Sequence, residues 1–175
     1  DIRDIACALS RINRFNGATS LPLNVAAHSL AVMRELERRK ASPEVQLLGL
    51  LHDAHEAYIG DITNPMRRAL KRYTPDDVIS MIARDLDIAI FTGLGVKHID
   101  LPENWTPVAQ ADRAVFAAEW RDLVGALCPE KITPSPLPTK TTPPDKAEEQ
   151  FLAAYARLSL HCGPRHHATA SDLIK

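Results

Sequence analysis

No stretch of this chain approaches the roughly 20 consecutive apolar residues that span a bilayer, and its first residues lack a basic-apolar-small signal pattern. The chain opens on Asp1 rather than Met, so a short preceding piece is expected. Cysteine is scarce. Cys7, Cys128 and Cys162 form no CxxC pair, and an odd, widely spaced set reads as reduced cytosolic thiols rather than a disulfide framework. Neither sign of charge dominates, with 21 Lys and Arg against 22 Asp and Glu and no strong basic stripe, which argues against a nucleic-acid partner. There is no internal repeat, and no segment alternates well enough to read as a strand. What remains is 175 residues, enough for one domain to bury its own core.

Helix punctuation fills that frame. Residues 2–13 carry Ile2, Ile5, Ala6, Leu9 and Ile12 at helical spacing. Asn24 can cap a helix running to about Lys40. Ser42-Pro43 is a cap followed by proline at the first helical position, and opens a helix to about Tyr58 with Gly60 as its stop. The same cap-then-proline signal at Asn64-Pro65, Thr74-Pro75 and Thr106-Pro107 opens helices over 64–72, 75–92 and 106–125, the last two stopped near Gly93 and Gly125. Residues 129–144 are Pro/Thr-rich and read as an extended surface loop. A last helix covers 144–160, and the tail 163–175 reads as flexible. The fold class is all-α: a single-domain bundle of about seven helices over residues 1–162.

A concentration of acid, base and metal-binding groups stands out against this frame. His28, the doublet His52-Asp53 and Asp112 each fall in a helical segment, and two imidazoles with two carboxylates are a ligand set for a divalent transition metal. The doublet sits in LLGLLHDAHEAYIGDI, residues 47–62, where Glu56 and Asp61 add carboxylates. His52 and Glu56 are four residues apart and share a helix face; Asp53 and Glu56, three apart, are also neighbours. Asp53 lies about 100° around from His52, so one ion can take both only from between their directions, with His28 and Asp112 arriving from other helices. Four ligands from three helices leave room for water or a substrate oxygen, and such an ion acidifies its water and polarises a phosphoryl oxygen. Glu56 is placed to accept or donate a proton.

Each residue also has a plainer reading. His28 alone fits a satisfied core histidine, an HD dipeptide alone is weak, and Asp112 alone fits a solvated carboxylate. Jointly the plain readings fail, because unpaired charge at the end of the apolar run LLGLL costs several kcal/mol, and a metal offsets that cost. Asn64 and Pro65 begin a helix whose N-terminus, with Arg67, Arg68 and Lys71, can cradle phosphate or can equally be a solvated basic face. Arg113 can reach a phosphate or form a surface ion pair. His55 reads as a surface or supporting residue rather than a ligand, and Trp105 and Trp120 as packing residues. His98, His161 and the pair His166-His167 show no partner pattern.

The pattern H…HD…D on helices resembles the HD-domain metal-dependent phosphohydrolases. The stretches RINRF (11–15), NVAAHSLAV (24–32), LLHDAHEAYIGDITNP (50–65) and QADRAVFAAE (110–119) resemble the bacterial 5′-deoxynucleotidase branch and, more closely, its phage relatives, which include dATP triphosphohydrolases. The resemblance covers about residues 5–160, and the block HDAxEAYxGDxxxP is far more specific than the HD pair. It implies an HD-type bundle with His28, His52, Asp53 and Asp112 as ligands of one Zn, Co or Mn ion. Glu56 is then the catalytic carboxylate beside the attacking water, and Asp61 a second acid near the leaving oxygen or the sugar. Arg14 corresponds to a phosphate-binding arginine. Phe15 stands where several relatives carry Trp against the nucleoside, and Pro65 where the family places a wall against the base; Asn16 is a further candidate for base preference. The implied activity is attack at the α-phosphate of a deoxynucleotide, with dATP as the leading substrate and 5′-deoxynucleotidase action on dNMPs as the alternative. A catalytically silent nucleotide-binding module and a helical adaptor with a structural metal are the rivals. A homo-oligomer, dimer or hexamer, in the cytoplasm of a bacterium or a phage-infected host, completes the expectation.

Overall fold

The computed structural model describes residues 1–74, 77–96, 102–125, 128 and 131–161. The helices are α1 (Ile2–Arg11), α2 (Val25–Arg38), α3 (Pro43–Leu51), α4 (Glu56–Ile59), α5 (Asn64–Leu70), α6 (Val78–Leu94), α7 (Pro102–Glu119) and α8 (Pro144–Ser159). Among the described residues there is no strand; the nearest thing to one is an isolated antiparallel bridge between Asn13 and Asn24. The fold is an all-α bundle. None of its described helices is long and apolar enough to cross a membrane. Cys7 and Cys128 are free thiols, while Cys162, His98, His166, His167 and the tail 163–175 lie outside the described residues.

Local chemistry sets the helix starts. The Asn24 side chain accepts the Ala27 N–H at 2.8 Å, and Ser42 caps α3 through Val45 with Pro43 in the first turn. The same Asn24 donates from Nδ2 to the Thr142 carbonyl at 2.8 Å, so the residue that begins α2 also holds the segment leading into α8. At the centre, α3 lies against α2, α7 and α8, and α1 against α2 and α8. Leu30 and Leu36 of α2, Leu47, Leu48, Leu50 and Leu51 of α3, Phe91 of α6 and Phe151 of α8 form the buried core. Gly49 permits the close approach of α3 to α2, since a methyl there would drive into Leu36 Cδ1 and lie 3.5 Å from Val32 Cγ1.

Several boundaries differ from the sequence expectation. The helix expected over 43–58 is broken at residues 52–55. Amide N–H groups of Ala54, Glu56, Ala57 and Tyr58 bond back three residues rather than four, which tightens the winding toward three residues per turn. Helix α7 begins at Pro102, not at the Thr106-Pro107 signal; Pro107 is accommodated inside it. It closes at Glu119 into a single π turn over Trp120–Val124, with Gly125 left-handed at its end. Helix α6 starts at Val78 with Asp77 as its cap, runs past Gly93 and stops at Gly95, whose φ of 67° fits a left-handed cap.

The Pro/Thr-rich connection is non-helical over 131–143, as expected, but it is not a free surface loop. Ser135 is 2% exposed. Its N–H bonds the Ala114 carbonyl at 2.8 Å, and its hydroxyl donates to the buried Glu35 carboxylate at 2.8 Å. Glu35 also accepts from Arg38 (2.7 and 2.9 Å) and Arg39 (2.7 Å). Burial pushes the Glu35 carboxyl up, but these hydrogen bonds from Arg38, Arg39 and Ser135 outweigh it and hold the group at about 2.

Candidate metal centre

Three helices and one tight turn bring the four expected ligands together. Helix α2 carries His28, fully buried; the end of α3 delivers His52; the turn that follows delivers Asp53; and α7 brings Asp112. The Nε2 atom of His28 lies 3.1 Å from Asp112 Oδ1 and 3.6 Å from Asp53 Oδ2. The Nε2 atom of His52 lies 3.2 Å from Asp53 Oδ2 and 3.8 Å from Asp112 Oδ1. These approaches are close enough for electrostatic pairing but are not aligned as hydrogen bonds: both Nε2 atoms are buried and without a hydrogen-bond partner. The ligand atoms of His28, His52 and Asp53 lie within 4.8 Å of one another, a group that could hold a metal ion. Asp112 approaches the two histidines from α7 with 37% of its side chain exposed, so this side of the cluster is open.

The far nitrogen of each imidazole is fixed. His52 Nδ1 is 2.8 Å from the Gly49 carbonyl, and His28 Nδ1 is 2.7 Å from Glu119 Oε1. Glu119 is itself 1% exposed and accepts from Arg14 Nε at 3.2 Å, while Arg14 Nη1 stands 3.6 Å from Asp53. Burial and the Arg14 charge push His28 down, but Glu119 and Asp112 outweigh them and raise it to about 9. Burial likewise opposes the charge on His52, Asp53 and Asp112, yet their mutual attraction raises His52 well above its usual value and holds both aspartates well below the carboxylate range.

Glu56 occupies the start of α4. The tightened winding of residues 52–58 brings it over Asp53, three residues back, and ligand atoms of Asp53, His55 and Glu56 also lie within 4.8 Å of one another. Its Oε2 is buried without a partner. Burial, reinforced by the Asp53 and Asp61 charges, pushes the Glu56 carboxyl up to about 8. Asp61 accepts the Phe15 N–H at 3.2 Å, which joins the loop after α4 to the turn after α1.

The other expected site residues are distributed less tightly. Arg14 is buried at the cluster, as described. Phe15 and Asn16 both take left-handed backbone angles (φ 56° and 51°). The Phe15 ring packs against Phe116 and Trp120, with centroids 5.8 and 5.9 Å away, and Asn16 is exposed. Pro65 is exposed at the start of α5. Arg67 donates from Nε to the Ile62 carbonyl at 3.0 Å, and Lys71 pairs with Asp77 at 2.9 Å. Arg113 is exposed on α7, next to Asp112. His55 is not a surface residue: it is 8% exposed and its Nδ1 lies 3.0 Å from Asp87 of α6. The tight turn swings it inward where a continuous helix would have turned it away. Trp105 packs against Phe91, and Trp120 joins the Phe15–Phe116 cluster, in line with packing roles.

Glu119 is the site residue that sequence reasoning passed over. It follows Asp112 by seven residues, two helical turns on the same face, and that spacing is the signal that could have found it.

No protein-family model matches the chain. It is 34% identical to the uncharacterized protein YfdR of Escherichia coli K12 over 122 residues, 70% of this chain and 60% of the relative. It is 41% identical to an uncharacterized protein of Rhodobacter capsulatus over 76 residues, 40% of this chain and 38% of the relative. The matches thus span less than two thirds of the length of these curated relatives. Neither name carries an activity.

Proposed function

We propose that the chain is a metal-dependent phosphohydrolase of the HD-domain class, acting at the α-phosphorus of deoxynucleotides. One observation carries this reading: two buried imidazole Nε2 atoms, both without hydrogen-bond partners, face the same pair of carboxylates. Buried polar atoms are rarely left unsatisfied, and a divalent cation would satisfy both at once. His28, His52, Asp53 and Asp112 would hold it, and His₂Asp₂ ligands suit Zn²⁺, Co²⁺, Mn²⁺ or Fe²⁺. When bound, the ion supplies Lewis acidity and a water acidified to near neutral pH.

The chain's own groups divide the remaining work. Glu56, with one buried oxygen unpartnered and its carboxyl raised toward neutral pH, takes or returns the proton of the attacking water. Asp61 is the acid on the side of the departing 5′ oxygen. Arg14 neutralises charge that develops on the phosphate oxygens. The open side at Asp112 admits the substrate, with Arg113 beside it.

The leading substrate is dATP, cleaved to deoxyadenosine and triphosphate: the resemblance to the phage enzymes points to adenine, and the α5 segment carries Arg67, Arg68 and Lys71, more cations than one phosphate needs. A second reading, 5′-deoxynucleotidase action on dNMPs, is favoured by the engagement of Arg67 with the Ile62 carbonyl and of Lys71 with Asp77. The test is product analysis by ion-exchange chromatography after incubation with Co²⁺ or Mn²⁺ and each dNTP and dNMP separately. Deoxyadenosine and intact triphosphate from dATP support the leading reading. Inorganic phosphate from dNMPs, with dNTPs untouched, supports the second. No turnover with any of them removes both and leaves a silent nucleotide-binding module.

A further inference from the structure

The cluster contains one buried charged group for which the proposed chemistry has no task. Glu119 sits at the last position of α7, and its two oxygens serve two different partners: Oε1 faces His28 Nδ1 at 2.7 Å and Oε2 accepts from Arg14 Nε at 3.2 Å. Arginine keeps its charge, so the carboxylate beside it stays ionised and can only accept. His28 Nδ1 therefore carries a proton and donates, and Nε2 is the nitrogen that faces Asp53 and Asp112. Arg14 has a second acid within reach, Asp53, at 3.6 Å. The shorter bond to Glu119 anchors one edge of the guanidinium while Nη1 pairs with Asp53, which the metal reading needs as a ligand.

We propose that Glu119 is a positioning residue that couples the two halves of the candidate site, fixing the ring and tautomer of His28 with one oxygen and restraining Arg14 with the other. The proposal rests on the metal-centre reading. Without the Glu119 charge, Nδ1 of His28 is free to become the unprotonated nitrogen, and Arg14 is free to compete with a cation for Asp53. Carboxylates that orient a ligand histidine in this way strengthen metal binding roughly 10–100-fold.

The test is a cobalt(II) titration of the full chain and of Glu119→Gln, followed by calorimetry and by visible absorption. Glutamine keeps the shape and one acceptor oxygen, but its amide N–H₂ cannot accept from either partner, so the double hold is lost. The expected result is cobalt binding weaker by roughly 10–100-fold, an altered cobalt absorption spectrum, and weaker inorganic phosphate binding to the cobalt-loaded variant. Equal cobalt affinity and an identical spectrum in the two proteins overturn the role of Glu119 while leaving the metal centre standing. No cobalt binding by the wild-type chain overturns both. Should the variant not fold, the tautomer is read in the zinc-loaded wild type by long-range ¹H–¹⁵N NMR. A proton on His28 Nδ1 supports the proposal, and a proton on Nε2 overturns it.

Discussion

The Nδ1 atom of His52 lies 2.8 Å from the carbonyl oxygen of Gly49, three residues back in α3. A carbonyl only accepts, so Nδ1 donates and Nε2 is turned toward Asp53 and Asp112. The backbone of α3 thereby fixes one candidate ligand, as a side chain of α7 fixes the other. His52→Ala and Asp53→Ala are each expected to abolish metal binding. Thermal unfolding with and without Zn²⁺ or Co²⁺ checks this: at a hundredfold excess over Kd, a bound ion stabilises the wild type by about 2.7 kcal/mol. A variant that keeps the whole metal-dependent rise in Tm would remove its residue from the ligand set.

Glu56 sits over Asp53, yet its buried Oε2 has no partner. Glu56→Gln keeps the shape and removes the proton-transfer function. Metal affinity is expected to stay within a few-fold, while kcat falls on the order of 10²–10⁴-fold. Full turnover by Glu56→Gln in the nucleotide assay would take the acid/base role away from this residue.

Gly49 is required by space, not by backbone angle. Its helical position faces Leu36, which is itself fully buried. Gly49→Ala is expected to destabilise the chain by about 1–3 kcal/mol through overpacking of α3 against α2, despite the better helix propensity of alanine. Urea denaturation measures the change, and a midpoint at or above that of the wild type would mean that Leu36 repacks without cost.

The Glu35 carboxyl is held at about 2 when folded, against 4.5 for a free glutamate. Its folded pKa is depressed, so its stabilisation is present above pH 4.5 and is lost as pH falls toward 2. The contribution at neutral pH is roughly 3 kcal/mol. Glu35→Gln should therefore unfold well before the wild type at pH 7, and the gap should close as pH drops toward 2. A gap in Tm that stays constant from pH 7 to pH 2.5 would contradict this account.

The parts of the fold legible in the sequence are those written in local chemistry. Asn24 and Ser42-Pro43 announced α2 and α3 through side-chain caps and a proline, and the apolar spacing of residues 2–12 announced α1. The doublet His52-Asp53 was legible because charge at the end of an apolar run needs a partner, and His28 and Asp112 because they complete a set of two imidazoles and two carboxylates. The break at residues 52–55 was not, since no glycine or proline marks it; it arises from a change of hydrogen-bond register that residue identity does not encode. Glu119 and Glu35 were hidden for a common reason. Each looks like a solvent-facing helical acid, and each is paired with arginines distant in sequence or on the next turn. Lys71 shows the converse: it read as a phosphate-cradle residue, and its charge faces Asp77, the cap of the following helix.

The connection between α7 and α8 has the composition of a protease-sensitive linker, and its attachments give it the opposite character. Ser135 is tied to Glu35 and Ala114, the Thr139 N–H to Asp122, and the Thr142 carbonyl to Asn24. A protease must draw an extended length of backbone into its own cleft, and this backbone is tethered every three or four residues. Cleavage there would have to wait for the segment to peel away from α2 and α7, which makes the intactness of residues 131–143 a gauge of whether these tethers are in place.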